Sequence, residues 1–220
     1  MTTRYRLAEL PTEHELSDYP PRLQQLLLAR GVTTAGVARD FLAPCYDTQL
    51  HDPAQLHDIK AAVAAVEAAM HAGVTITIFG DYDCDGIPGT VVLHDFFQAI
   101  GYEAVTTYIP HRHYEGFGLS VSAVEQLHAA GTKLIITVDC GTSDVAAVER
   151  ANELGVTVVI TDHHEPGAVL PPAAAVVNPK LGDYPFPDLC GAAVAFKFAQ
   201  ALLAAGDYAL PPGQEKWWLD

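Results

Sequence analysis

Cationic residues are scarce in this chain. Lys and Arg number 12 in 220 residues against 27 Asp and Glu, a formal net charge of −15. Phosphate neutralisation by Lys and Arg supplies most nonspecific affinity for nucleic acid, so this balance taken alone argues against a nucleic-acid binder. It does not exclude an enzyme that meets phosphate through bound metal ions, which would also neutralise part of the acidic excess. Cysteine is scarce too. Cys45, Cys84, Cys140 and Cys190 form no Cys-x-x-Cys pair, which argues against a zinc ribbon. Scattered thiols without a secretion signal are expected to be reduced. No uninterrupted apolar stretch is long enough to span a bilayer. Met1-Thr2-Thr3-Arg4-Tyr5-Arg6 leads into a mixed segment and not the apolar core of a signal peptide. The expectation is a cytoplasmic protein with no membrane partner.

Apolar residues, by contrast, make up 50% of the sequence. That suffices for one sizeable α/β domain plus an appendage. Residues 1–58 read as short helical pieces with Pro punctuation, including Leu23 to Ala29 and Val37 to Leu42. From Ile59 the pattern changes. Ile59 to His71 is an Ala-rich amphipathic helix ending before Gly73, and strand candidates follow at 74–79, 103–108, 133–138, 156–161 and 173–177. Helices are expected between them at about 87–100, 120–130 and 143–154, and a last one at about 191–204. Continuous apolar strands, each followed by a helix, predict a parallel sheet of about five strands with helices on both faces.

The most informative stretch is Gly80-Asp81-Tyr82-Asp83-Cys84-Asp85-Gly86, directly after the apolar run Val74 to Phe79. Three alternating carboxylates repel one another and resist burial unless a cation sits among them. Carboxylate oxygens suit Mg²⁺, Mn²⁺ and Ca²⁺. A helix-loop-helix calcium loop shares the Asp-x-Asp-x-Asp-Gly pattern, but a strand precedes this one, and Val92 stands where that loop needs its bidentate Glu. A solvated acidic turn is the plainer alternative.

Ligands of open parallel sheets bind at the carboxyl ends of strands. The other strand ends carry His111-Arg112-His113, Asp139-Cys140-Gly141, Asp162-His163-His164 and Asn178-Pro179-Lys180. One polar strand end is ordinary, since Asp-initiated turns often cap helices; several converging on one edge predict a site. Asp81, Asp83, Asp139, His163 and His164 are the candidate metal ligands and catalytic residues. Asp85 is a ligand, an orienter or a turn former, and Asp162 a ligand or the orienter of the His pair. Mixed Asp and His ligands suit Mn²⁺ and also admit Mg²⁺, and this many ligands fit two ions about 3.5–4 Å apart. Arg112 is the candidate phosphate clamp, because its planar fork matches phosphate oxygens. His111 and His113 would add hydrogen bonds or protons, Gly116 would allow close approach, and Gly191 would expose a helix N-terminus to phosphate. Lys197 reads as a surface residue.

Asp81-Tyr82-Asp83-Cys84-Asp85-Gly86 with Asp162-His163-His164 resembles the signature motifs of the DHH phosphoesterase superfamily. His111-Arg112 with Glu115-Gly116-Phe117-Gly118-Leu119, together with Cys190-Gly191-Ala192-Ala193 and Leu28-Ala29-Arg30-Gly31, is similar to its RecJ subgroup of bacterial single-strand-specific exonucleases. The resemblance covers nearly the whole chain. It implies a metal-dependent phosphodiester hydrolase that degrades single-stranded DNA from the 5′ end to mononucleotides in repair and recombination. It also implies helicase or single-strand-binding protein partners. Phe79 stands where some relatives have a metal-binding His, Pro88 where a small polar residue is common, and Thr142 and Ala193 replace the usual Ile and Gly. The resemblance further implies that residues 59–220 form an incomplete catalytic domain. Trp218-Leu219-Asp220 would lead to a further Asp ligand, a second catalytic half and an oligonucleotide-binding fold, so the chain is expected to be a fragment with little activity alone. Another enzyme of the superfamily (a type II pyrophosphatase, or an oligonucleotide or cyclic-dinucleotide phosphodiesterase) and a non-enzymatic scaffold are the alternatives.

Overall fold

The computed structural model describes residues 10–206, 208 and 210–219. The opening residues Met1 to Arg6 and the terminal Asp220, both of which entered the sequence reading, lie outside them. The chain divides into two compact units, one ending at Leu50 and the other beginning at His51.

The first unit contains α1 (Pro21–Leu28), α2 (Ala35–Leu42) and the single turn α3 (Tyr46–Gln49). Pro suits the opening of α1, where a backbone N–H would have no helical partner. Gly31, with φ 75°, lets the chain leave it. Thr34 caps α2 by accepting from the Val37 N–H at 3.4 Å. Leu16, Leu27, Leu28, Val32 and Ala38 form a small core.

The segment 51–58, expected with the helical appendage, belongs to the second unit. His57 and Asp58 meet the backbone of Val176 on the outermost strand through Nδ1 and Oδ2, at 3.1 and 3.2 Å. Lys197, expected on the surface, is buried and donates from Nζ to the His51 carbonyl at 2.6 Å.

The second unit runs α4 (Ile59–His71), β1 (Ile76–Gly80), α5 (Gly86–Ala99), β2 (Val105–Tyr108), α6 (Val121–Ala129), β3 (Leu134–Val138), α7 (Val145–Glu153), β4 (Thr157–Thr161), β5 (Ala175–Val177), α8 (Gly191–Ala205) and the short α9 (Gln214–Trp217). The five strands form one parallel sheet in the order β2-β1-β3-β4-β5. This is the expected α/β class. Side chains alternate across each strand. Phe79, Ile135, Val158, Ile160 and Val176 meet α6 and α7 on one face, and α4, α5 and α8 cover the other. Among the described residues no helix is long and apolar enough to cross a membrane.

Small residues let α5 and α8 close on the sheet. A Cβ on Gly89 would lie 2.6 Å from Val138 Cγ1 and 3.1 Å from the Ala192 Cα, and one on Gly86 would strike the Asp81 backbone at 2.6 Å. Pro88 falls in the first turn of α5, where Pro is tolerated.

Candidate metal centre

Register builds the site. Gly80 pairs with Val138, Val138 with Thr161, and Thr161 with Val177. The next residues, Asp81, Asp139, Asp162 and Asn178, therefore form a row across four neighbouring strands. Each Asp N–H adds one more rung to the sheet: Asp81 to the Val138 carbonyl at 3.1 Å, Asp139 to Thr161 at 3.0 Å, and Asp162 to Val177 at 3.0 Å. Strands lie about 4.8 Å apart, so the row sets three carboxylates side by side. The strand order reverses between β1 and β3, where open α/β sheets bind their ligands, and Asp81 and Asp139 flank that crevice.

The acids of the first motif have separate duties. Asp81 is 1% exposed, and its buried Oδ1 has no hydrogen-bond partner among the described residues. Burial raises its carboxyl above the usual range. Asp83 Oδ1 accepts from the N–H groups of Asp85 and Gly86, at 2.8 and 2.9 Å. The Gly86 bond is the main reason its pKa is low. Asp85 reaches across to the start of α8, accepting from Gly191 N–H at 2.7 Å and Ala192 N–H at 2.6 Å. That makes it a remote helix cap.

Asp139 joins the cluster together. It is 1% exposed, and among the described residues its Oδ1 accepts no hydrogen bond of good geometry. Burial, then the charges of Asp85, Asp83 and Asp162, push its pKa up to about 8. Its backbone is left-handed, φ 63°. Ligand atoms of Asp81, Asp83 and Asp139 lie within 4.8 Å of one another, and so do those of Asp139, His163 and His164. The Asp and His motifs thus meet, and Asp139 belongs to both triads. His163 Nε2 is 3.1 Å from Asp139 Oδ1 and 3.6 Å from Asp85 Oδ2.

Asp162 orients the His pair. Its Oδ1 accepts from the backbone N–H of His163 and His164 and pairs with His164 Nδ1 at 2.7 Å, while Oδ2 accepts from Thr142 N–H at 2.9 Å. Burial alone would raise its pKa, but the bonds from Thr142 and His164 together hold it low. Buried Asn178 supports the same loop, donating to the His164 carbonyl at 2.9 Å and to Thr142 Oγ1 at 3.2 Å. Sequence reasoning noted the Asn178 strand end but gave it no role; its in-register position after β5 was the available signal.

The His-Arg loop follows β2. Arg112 donates to the Tyr82 carbonyl at 3.2 Å, and its guanidinium lies 4.6 Å from the centre of the Tyr82 ring. Arg112, Tyr82, Asp83, Cys84, Ile87 and Pro88 line an open groove of about 580 Å³. His111 is used within the loop: its Nδ1 accepts from the His113 N–H and its ring lies 4.5 Å from that of Tyr114. His113 is exposed, and Gly116 turns the loop at φ 81°. Phe117 meets the His164 ring edge-on at 5.5 Å. Gly191 differs from expectation. Its N–H is already given to Asp85, so it does not face a phosphate. Its contribution is steric, because a Cβ there would lie 2.4 Å from Asp139 Oδ1. Phe79 is fully buried and stacked on Tyr108 at 5.4 Å.

The donor set fits hard or borderline divalent ions. Among the described residues buried Asp81 Oδ1 has no hydrogen-bond partner, Asp139 Oδ1 has the His163 imidazole beside it, and like charges crowd a small volume, which an ion would relieve.

Residues 75–216 match the model of the DHH family, N-terminal domain. The chain is 42% identical to the single-stranded-DNA-specific exonuclease RecJ of Bacillus subtilis (strain 168), over 83% of this chain and 23% of that protein. It is 38% identical to the protein of the same name from Escherichia coli (strain K12), over 89% and 32%. The chain therefore spans a third or less of these curated relatives. Among solved structures it resembles exonuclease RecJ bound to manganese, with a TM-score of 0.64 and 37% identity over 74% of this chain and 41% of that one. It also resembles RecJ from Thermus thermophilus in complex with Mn²⁺, with a TM-score of 0.68 and 30% identity over 90% and 28%.

Proposed function

The chain belongs to the DHH family, and from that premise we propose that it carries the metal centre of a nuclease removing nucleotides from the 5′ end of single-stranded DNA. The observation that carries this reading is the pair of ligand triads sharing Asp139. Asp81, Asp83 and Asp139 would hold one ion, and Asp139, His163 and His164 a second. The manganese-bound relatives favour Mn²⁺, and one relative carries Mg²⁺. Such ions neutralise charge on a phosphodiester and make water a competent nucleophile near neutral pH.

The chain's own residues do the rest. Asp85 fixes α8 against the site, and Asp162 with Asn178 fixes the His pair. Gly191 leaves room for the Asp139 carboxylate. Arg112 shares the open groove with Asp83 and would take the 5′-terminal phosphate in a charge-assisted, two-point contact. That contact gives the 5′→3′ direction its chemical basis. A cytoplasmic setting and helicase or single-strand-binding protein partners go with the same reading.

The test is nuclease assay with Mn²⁺, on the chain alone and grafted in place of the matching segment of the Bacillus subtilis relative. Substrates are 5′-phosphorylated single strands, duplex DNA, pyrophosphate and a cyclic dinucleotide. The chain alone is expected to show little activity, and the graft to release mononucleotides from the single strand and from no other substrate, with loss of activity in Asp83→Asn and His163→Ala. Preferential cleavage of pyrophosphate or the cyclic dinucleotide overturns the reading.

A further inference from the structure

We propose that Glu115 is a positioning residue that holds the Arg112 loop in place, with Tyr108 as its anchor. The proposal rests on the reading of Arg112 as the phosphate-binding side chain. Arg112 follows an edge strand, where few neighbours restrain a loop. Glu115 supplies the restraint. One carboxylate oxygen accepts from the Tyr108 hydroxyl and the other from the His111 backbone N–H at 2.6 Å. The carboxylate thereby links the last residue of β2 to the residue immediately before Arg112. The His111 carbonyl in turn accepts from the Tyr114 and Glu115 N–H groups, both at 3.0 Å. Arg112 thus leaves from a closed turn.

The anchor is itself fixed. Tyr108 stacks on Phe79, and Phe79 is a fully buried residue of the strand that runs into Asp81. The Arg112 turn and the first metal-ligand candidate are therefore referenced to one rigid pair of rings. At the far end, Leu119 N–H donates to Asp144 Oδ2 at 2.7 Å, and a Cβ on Gly118 would collide with the same carboxylate at 2.8 Å. Glu115 does not line the groove that Arg112 shares with Asp83, so it acts through the loop. The Tyr108 hydroxyl, then the His111 N–H, hold its carboxyl below the usual range.

Charge and clasp are separable. A Gln at 115 keeps both points: its carbonyl accepts from His111 N–H, and its amide donates to the Tyr108 oxygen. An Ala removes both, and Tyr108→Phe removes one. In hydrogen exchange, amides at 111–118 are expected to keep their protection in Glu115→Gln and to lose about tenfold or more in Glu115→Ala, with Tyr108→Phe between. In Mn²⁺, Glu115→Ala is expected to lose about tenfold in affinity for a 5′-phosphorylated single strand with little change for the 5′-hydroxyl strand. Glu115→Ala/Arg112→Ala should match Arg112→Ala alone, as coupled residues do. Unchanged exchange in Glu115→Ala, equal damage from Gln and Ala, or additive losses with Arg112→Ala each overturn the proposal. A wild type that ignores the 5′-phosphate overturns the Arg112 reading and the proposal with it, and the exchange data then still report whether the clasp exists.

Discussion

Asp139 adopts a left-handed backbone conformation that few residues other than Gly, Asn and Asp visit. Its carboxyl is buried against three other acids with its pKa near 8. Without metal such a group costs stability wherever it ionises. Its folded pKa lies above the ordinary value of 3.8, so its favourable contribution is complete below about 3.8 and is lost as pH rises through about 8. Asp139→Asn keeps the backbone preference and removes the charge. In EDTA the variant is expected to melt above the wild type, by a margin that widens between pH 5.5 and 8.5 in thermal scans. With Mn²⁺ it should lose both metal-induced stabilisation and activity. A margin that narrows with rising pH would contradict this. At this scale the sequence exposed the acids and His residues themselves, because their spacing after apolar strands is local. It did not expose the cap made by Asp85 or the burial of Lys197. Their partners, Gly191 and His51, lie 106 and 146 positions away, beyond the reach of any local pattern.

Elements were legible where periodicity is strong. The Ala-rich helix from Ile59 to His71 has the expected span, and all five strands occur within a residue or two of their predicted places. What periodicity does not carry is how closely elements approach. The α5–α8 contact depends on the missing side chain of Gly89 facing the small Ala192 and Ala195, while Gly86 and Gly191 let the same two helices begin against Asp81 and Asp139. Two substitutions separate packing from site. Gly89→Val drives a side chain into Val138 and Ala192, and should destabilise by about 1–3 kcal/mol in urea unfolding, as overpacking does. Gly191→Ala instead displaces the Asp139 carboxylate. It should weaken Mn²⁺ binding by calorimetry about tenfold or more, since supporting residues commonly shift metal affinity by that much. Unchanged Mn²⁺ affinity in Gly191→Ala would remove the steric role assigned to that glycine.

Across the whole second unit, sheet order is what turns scattered motifs into one centre. Alternating strands and helices predicted a parallel sheet, but hydrophobic pattern does not name a strand's neighbours. The order β2-β1-β3-β4-β5 and its register set Asp81, Asp139, Asp162 and Asn178 in a row, and the reversal beside β1 opens the crevice they line. The loops following the strands carry only two Lys or Arg side chains, Arg112 and Lys180, and Lys180 pairs with Glu165 at 3.0 Å. The positive charge that the carboxylate row demands must therefore come chiefly from bound ions. Anomalous diffraction from Mn²⁺-soaked crystals tests this directly. The account predicts two manganese peaks about 3.5–4 Å apart, as two-metal sites show, one on each side of the Asp139 carboxylate, with His163 and His164 on one ion and Asp81 and Asp83 on the other. A single peak, or two peaks of which neither touches Asp139, would contradict it.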